Sequence, residues 1–207
     1  RAAGIEIPTL CYMKEINAIG ACRICVVEAT GARGLVPACV YPVTEGMEIQ
    51  TNTEKVQKAR KTTLELILST HEKKCLSCVR STNCELQQMC RDYGVEESRF
   101  VGEVNKYEIE TGSPIIRDNN KCILCRRCVA ACNNTQAVGV IGPVARGFKT
   151  QIKCAWDKSL NEAACINCGR CQEKCPIGIS VYQVGRYLKI KDQDRKAQML
   201  IDTGVRQ

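Results

Sequence analysis

Large apolar rings are scarce in this sequence, whose 207 residues include 2 Phe and 1 Trp. So little aromatic volume excludes a conventional hydrocarbon core running through the whole chain. Parts of it are expected to fold around something else, and metal would serve. There is no long apolar run, so no membrane segment is expected, and no signal peptide is visible. Neither a G-x-G-x-x-G loop nor a P-loop occurs, so the chain offers no evident nicotinamide or nucleotide site of its own.

What the sequence has in excess is cysteine, 17 residues against a single histidine. A disulfide framework would need a secretory context and is usually smaller, so the thiols read as ligands in a reducing, cytoplasmic compartment. The formal charge of +8 would ordinarily suggest nucleic acid. If most of the cysteines bind as thiolates around four clusters, those sites contribute roughly −7. Scattered Lys and Arg then become counter-charges, and no nucleic-acid partner is expected.

The pattern changes along the chain in modules. Residues 1–51 alternate short apolar stretches with Gly and Pro turns, as strands and loops do. Residues 52–114 begin with a helix capped by Thr53, with Glu54 in its first turn and Val56, Leu64, Ile67 and Leu68 mostly on one face, delivering His71 at its end. A second helix runs from Cys84 to a stop at Gly94, with Leu86 and Met89 as packing residues. Polar residues 96–114 form a boundary. Residues 115–180 contain an internal repeat, and residues 181–207 read as a helical extension, because Val181, Val184 and Leu188 have helical spacing before a charged run.

The repeat carries the strongest signal. Cys122-Ile123-Leu124-Cys125-Arg126-Arg127-Cys128 with Cys132, and Cys165-Ile166-Asn167-Cys168-Gly169-Arg170-Cys171 with Cys175-Pro176, each follow the C-x2-C-x2-C-x3-C spacing of bacterial two-cluster ferredoxins. In that arrangement a tight loop supplies three corners of a [4Fe-4S] cubane and the fourth cysteine crosses to the other cluster. One site is therefore expected from Cys122, Cys125, Cys128 and Cys175, the other from Cys132, Cys165, Cys168 and Cys171. Zinc favours paired C-x2-C motifs over such runs.

Two further groups precede the repeat. Cys11, Cys22, Cys25 and Cys39 are spaced C-x10-C-x2-C-x13-C, which favours a four-thiolate [2Fe-2S] site over zinc, although plant-type ferredoxins have a shorter first gap. His71, Cys75, Cys78 and Cys84 are spaced H-x3-C-x2-C-x5-C. Three thiolates and an imidazole suit a [4Fe-4S] cluster or a Cys3His zinc site equally well on ligand identity alone. Cys90 and Cys154 read as small buried residues outside any site.

The long first gap, with Ile7-Pro8-Thr9-Leu10-Cys11-Tyr12 and Gly20-Ala21-Cys22-Arg23-Ile24-Cys25, resembles the ferredoxin-like domain at the start of the large iron–sulfur subunit of respiratory complex I and of [FeFe] hydrogenases. In those families a β-hairpin and part of a helix precede the first ligand. The resemblance thus implies a grasp-type domain lacking its N-terminal part, with Arg1 not the native start. His71-Glu72-Lys73-Lys74-Cys75-Leu76-Ser77-Cys78 with Asn83-Cys84-Glu85-Leu86-Gln87 is similar to the histidine-ligated [4Fe-4S] site of complex I, [FeFe] hydrogenases and NAD-linked formate dehydrogenases. That likeness decides for iron.

Over nearly its full length the sequence resembles the cluster-bearing region of the [FeFe] hydrogenase subunit in NAD-linked, electron-bifurcating complexes. Lys121 to Cys128 and Arg146-Gly147-Phe148 carry this likeness. It implies an α+β chain of three parts: a grasp-type [2Fe-2S] domain, a small helical histidine-ligated cluster domain, and a two-[4Fe-4S] ferredoxin domain. It also implies one [2Fe-2S] and three [4Fe-4S] clusters, a partner subunit holding FMN and NAD, a small [2Fe-2S] subunit, and soluble ferredoxin as a further partner. The chain would relay electrons within an oxidoreductase complex without a substrate site of its own. No cysteine follows Cys175, where those hydrogenases and the formate dehydrogenases continue into catalytic domains. That leaves a fragment of such an enzyme or a shorter relay subunit, and Ile177-Gly178-Ile179-Ser180-Val181-Tyr182-Gln183, which does not resemble the entry to either catalytic domain, favours the short subunit, coupling NADH and ferredoxin to hydrogen, formate or NADP. The alternatives are a fragment of a hydrogenase or formate dehydrogenase catalytic subunit and, in a different class, a zinc-binding interaction module.

Overall fold

The structure, a computed structural model, describes residues 2–111, 113–183 and 191–195. Its first sheet is built on β1 (Val26–Ala29), which pairs antiparallel with β2 (Val36–Pro37) on one side and β3 (Ile49–Gln50) on the other. Val26 stands opposite Pro37 and Glu28 opposite Gln50. The chain before β1 is mostly loop, as the Gly and Pro signals predict.

Helix α1 (Glu54–Ser69) starts where the sequence places it. The Thr53 hydroxyl accepts from the Val56 N–H at 3.3 Å and donates to the Glu28 carboxylate at 2.6 Å, so the cap also ties the helix to β1. Val56 and Leu64 are fully buried, each such burial being worth roughly 1.5–3 kcal/mol. Arg60, on the same face, is nearly fully buried as well. Its Nη2 donates to the Val26 carbonyl at 2.9 Å and its Nη1 to the Tyr93 hydroxyl at 3.2 Å.

Helix α2 (Glu85–Asp92) buries Leu86 and Cys90 and ends at Gly94, whose φ of +59° suits glycine and closes the helix. The following polar segment is tied back across α1. Arg99 pairs at 2.7 Å with Glu65, a buried carboxylate, and the Ser98 hydroxyl donates to the Glu65 carbonyl.

The remaining part holds two small antiparallel pairs: β4 (Ile115–Arg117) with β7 (Ser180–Tyr182), and β5 (Ile141–Val144) with β6 (Gln151–Cys154). Between them lie the short helices α3 (Arg127–Ala130) and α4 (Arg170–Glu173), each following two cysteines of its repeat and containing the third. The helical spacing of Val181 misleads: it is a strand residue in β7, opposite Ile116. The edge of β4 needs hydrogen-bond partners, and residues 180–182 provide them. Val184 and Leu188 lie outside the described residues, and residues 191–195 in the charged run are helical.

One apolar cluster crosses the module boundaries. Leu10 and Ile24 pack with Leu64, Leu86 and Val95, and with Cys175, Ile177 and Ile179. A second cluster joins Ile115, Cys128, Ile141, Ile152, Cys154 and Leu160 within the repeat region. Cysteines therefore occupy core positions in both, as the shortage of aromatic residues requires. Among the described residues no helix is long and apolar enough to cross a membrane.

Candidate metal centres

All 17 cysteines are free thiols. In the first group Cys11 and Cys25 are buried and Cys22 and Cys39 half-buried. The Cys22 N–H donates to the Cys11 sulfur at 3.5 Å. The hydrogen bond between these two thiols lowers Cys22 and raises Cys11 above the usual thiol range, and burial adds to the rise of Cys11. Burial pushes Cys25 up to about 11, with the nearby Cys39 charge adding to the rise. Cys25 and Cys39 line a cavity of about 300 Å³.

His71 follows α1, its N–H bonded to the Leu68 carbonyl at 3.3 Å. Burial lowers its pKa, keeping the imidazole neutral as a ligand requires; a hydrogen bond to the Lys121 backbone opposes that shift. Its Nδ1 is buried and has no hydrogen-bond partner. His71, Cys75 and Cys84 line a cavity of about 440 Å³, and Cys78 joins the same three around a smaller adjoining one. Burial raises Cys84, and the charges of Cys78 and Cys75 raise it further.

The repeat region places its thiols in two groups that do not follow sequence order. Burial pushes Cys122 up to about 11, and Cys175 is the thiol whose charge adds to the rise. Cys125 is raised to about 12 by burial, with Cys175 and Cys122 contributing, and Cys128 is raised by burial within reach of all three. Cys165 is raised by burial and feels Cys168 and Cys132; Cys171, also raised by burial, feels Cys165 and Cys168. Cys175 thus sits with the first loop, 47 residues or more away in the chain, and Cys132 with the second.

The two loops wrap in the same way. Leu124 and Arg126 have φ of 56° and 58°, and their counterparts Asn167 and Gly169 have 53° and 73°. Left-handed residues at alternate positions turn successive amide N–H groups toward one point, an arrangement that favours bound anions. In the first loop the Leu124 N–H donates to the Cys122 sulfur at 3.4 Å, and after the second loop the Gly178 and Ile179 N–H groups donate to the Cys175 sulfur at 3.2 and 3.4 Å. Among the described residues no three Cys, His, Asp or Glu side chains converge on one point for a single ion.

The first repeat loop adjoins both earlier groups. The Asn17 side-chain amide donates to the carbonyls of Cys11 and Cys125. On another side the smaller cavity beside His71 is lined by Lys121 and Ile177, next to Cys122 and Cys175.

Three residues outside the expected sites belong to their surroundings. Cys90 lines the His71 cavity, raised by burial to about 11 and within reach of the Cys84 and Cys75 charges. Cys154, raised by burial to about 11, feels Cys165 and Cys132. Asn17 bridges two groups across 108 residues, for which no local sequence signal exists. A cavity of about 890 Å³ lined by Arg60, Glu85 and Arg127 contains none of the cysteines.

Three family models match the chain in succession: a 2Fe-2S iron-sulfur cluster binding domain over residues 1–54, the NADH-ubiquinone oxidoreductase-G iron-sulfur binding region over 60–99, and a 4Fe-4S dicluster domain over 121–179. Among curated proteins, the NADP-reducing hydrogenase subunit HndD of Solidesulfovibrio fructosivorans is 44% identical over 183 residues, covering 86% of this chain and 31% of that protein. A subunit of the NADH-quinone oxidoreductase of Rhizobium meliloti (strain 1021) is 38% identical, covering 84% of this chain and 20% of that protein. The chain therefore spans less than a third of the length of these relatives. Among solved structures, an NAD+-reducing [NiFe]-hydrogenase in its H2-reduced state aligns with a TM-score of 0.81 and 28% identity, over 90% of this chain and 79% of that one.

Proposed function

We propose that this chain, homologous to the iron–sulfur region of NAD(P)-linked oxidoreductase subunits, is the electron relay of such a complex. The observation that carries the reading is the crossed grouping of the repeat thiols, in which Cys175 neighbours Cys122, Cys125 and Cys128 while Cys132 neighbours Cys165. That is the ligand exchange of a two-cluster ferredoxin.

On this reading Cys11, Cys22, Cys25 and Cys39 hold a [2Fe-2S] cluster in a grasp-type domain. His71, Cys75, Cys78 and Cys84 hold a [4Fe-4S] cluster. The two crossed groups hold one [4Fe-4S] cluster each. The donor chemistry fits: soft thiolates throughout, amide N–H groups directed at sulfur, and a neutral imidazole with an orphaned buried nitrogen. Bound there, the clusters supply one-electron transfer.

The chain's own residues position the sites and desolvate them. Asn17 ties the [2Fe-2S] loop to the first repeat loop, and Lys121 brings the His71 site to the same loop. The Cys122 site is accordingly the junction, with the Cys165 site reached through it. The partners would be a subunit holding FMN and NAD, a small [2Fe-2S] subunit and soluble ferredoxin, in a cytoplasmic, electron-bifurcating complex whose third couple is hydrogen, formate or NADP. The greater length of the relatives supports a second reading, in which this region is the N-terminal part of a longer catalytic subunit. Its relay role is the same in both.

The test is anaerobic purification with metal analysis and identification of co-purifying subunits. About fourteen iron atoms per chain are expected for one two-iron and three four-iron clusters. Stoichiometric zinc with iron near zero would overturn the relay and favour a zinc-binding interaction module.

A further inference from the structure

Arg117 is fully buried at 0% exposure and heads the largest side chains hidden from solvent. It ends β4, opposite Ser180 of β7, at the centre of the repeat region. The other two buried arginines each leave only Nε buried and unpartnered: Arg60 donates to the Val26 carbonyl and the Tyr93 hydroxyl, and Arg127 pairs with Glu85 at 2.7 Å. Arg117 differs. Its Nη2 donates to the Ile152 carbonyl at 3.0 Å, while Nε and Nη1 are buried with no partner. Glu110, whose backbone pairs with that of Arg117, turns its carboxylate to the Leu160 N–H at 2.9 Å instead.

A guanidinium cannot shed its charge within a protein, so a buried one with two free donor positions is best served by an anionic acceptor. The hydrogen-bond partner of Arg117, Ile152, belongs to the apolar cluster that holds Cys128 and Cys154, and Cys122, Cys132, Cys165 and Cys171 pack against that cluster. The Arg117 charge reaches Cys122 and Cys128 of one group and Cys171 of the other, lowering each against the upward push of burial.

We propose that Arg117 is a positioning residue serving both cubane-type sites, a counter-cation between them whose free guanidinium edges face their thiolates and which holds both reduction potentials up. The inference rests on the cluster-binding reading above. Reduction adds a negative charge at a buried site, which low dielectric disfavours, and a fixed positive charge nearby offsets that penalty. One cation between the two sites must act on both together.

The experiment compares the reconstituted parent chain with Arg117→Lys and Arg117→Met by iron analysis and EPR-monitored redox titration. A parent chain without iron would overturn the cluster reading itself; an iron-loaded parent isolates the role of Arg117. Arg117→Met is expected to shift the midpoints of both repeat-region centres to more negative values and leave the [2Fe-2S] and His71 centres in place. Arg117→Lys is expected to recover most of the shift. Unmoved midpoints, movement of one centre only, or a lysine variant no better than methionine would overturn the proposal. Should Arg117→Met fail to load iron, parent and Arg117→Lys labelled with 15N at arginine are compared by pulsed EPR of the reduced centres. Loss of a nitrogen coupling in the lysine variant supports the assignment, and identical couplings overturn it.

Discussion

The side-chain amide of Asn17 donates to the backbone carbonyl of Cys125 across 3.2 Å, and the same nitrogen donates to the carbonyl of Cys11 at 2.7 Å. One buried amide thus fixes two cysteine loops that are far apart in the chain. Asn17→Ala would strand both carbonyls away from water, a loss of about 1–3 kcal/mol per unsatisfied group. Chemical denaturation of the loaded protein is expected to show that loss, with the [2Fe-2S] signal lost earlier than in the parent. An unchanged midpoint would mean that water replaces the amide.

The crossed grouping of the repeat thiols makes a prediction that sequence order would reverse. Cys175→Ser should disturb the EPR signal of the centre held by Cys122, Cys125 and Cys128, leaving the other repeat centre intact, and Cys132→Ser should do the opposite. If each serine disturbs the centre of its own run, the crossing is wrong.

The half-buried imidazole of His71, its pKa lowered by desolvation, contributes no negative charge to its site. His71→Cys adds a thiolate, so the cluster should be retained at unchanged iron content while its midpoint falls. A titration in which no centre moves would remove His71 from the ligand set.

Arg60 joins α1 to β1 through Val26 and to the end of α2 through Tyr93. Arg60→Met keeps much of the aliphatic packing but leaves the Val26 carbonyl without its charged donor. A loss of about 1.5–3 kcal/mol is expected, the usual contribution of a hydrogen bond to a charged group, measured by urea denaturation. Cluster content at low temperature should stay at the parent level.

Much of the local structure was legible beforehand. Thr53 caps α1, Gly94 ends α2, and the helix between Thr53 and His71 carries its apolar face where the spacing indicates, because each of these signals acts within a few residues. Val181 shows the limit. Its spacing relative to Val184 and Leu188 fits a helix, yet residues 180–182 complete the β4 edge, and a ladder partner sixty-odd residues away overrides local periodicity. Cys90 and Cys154 were legible as buried, but not as neighbours of the His71 cavity and of the second repeat group.

By itself the sequence determined the donor inventory, because the repeated C-x2-C-x2-C-x3-C spacing is written in the order of the residues themselves. It also determined the shortage of apolar rings that leaves thiols in the core. Tertiary structure alone decided which loop adjoins which, where Asn17 spans two of them, and that Arg117 lies fully buried with two unpartnered nitrogens. Those relationships depend on packing between segments a hundred residues apart, where burial strengthens every charge and hydrogen bond and no local spacing records the contact.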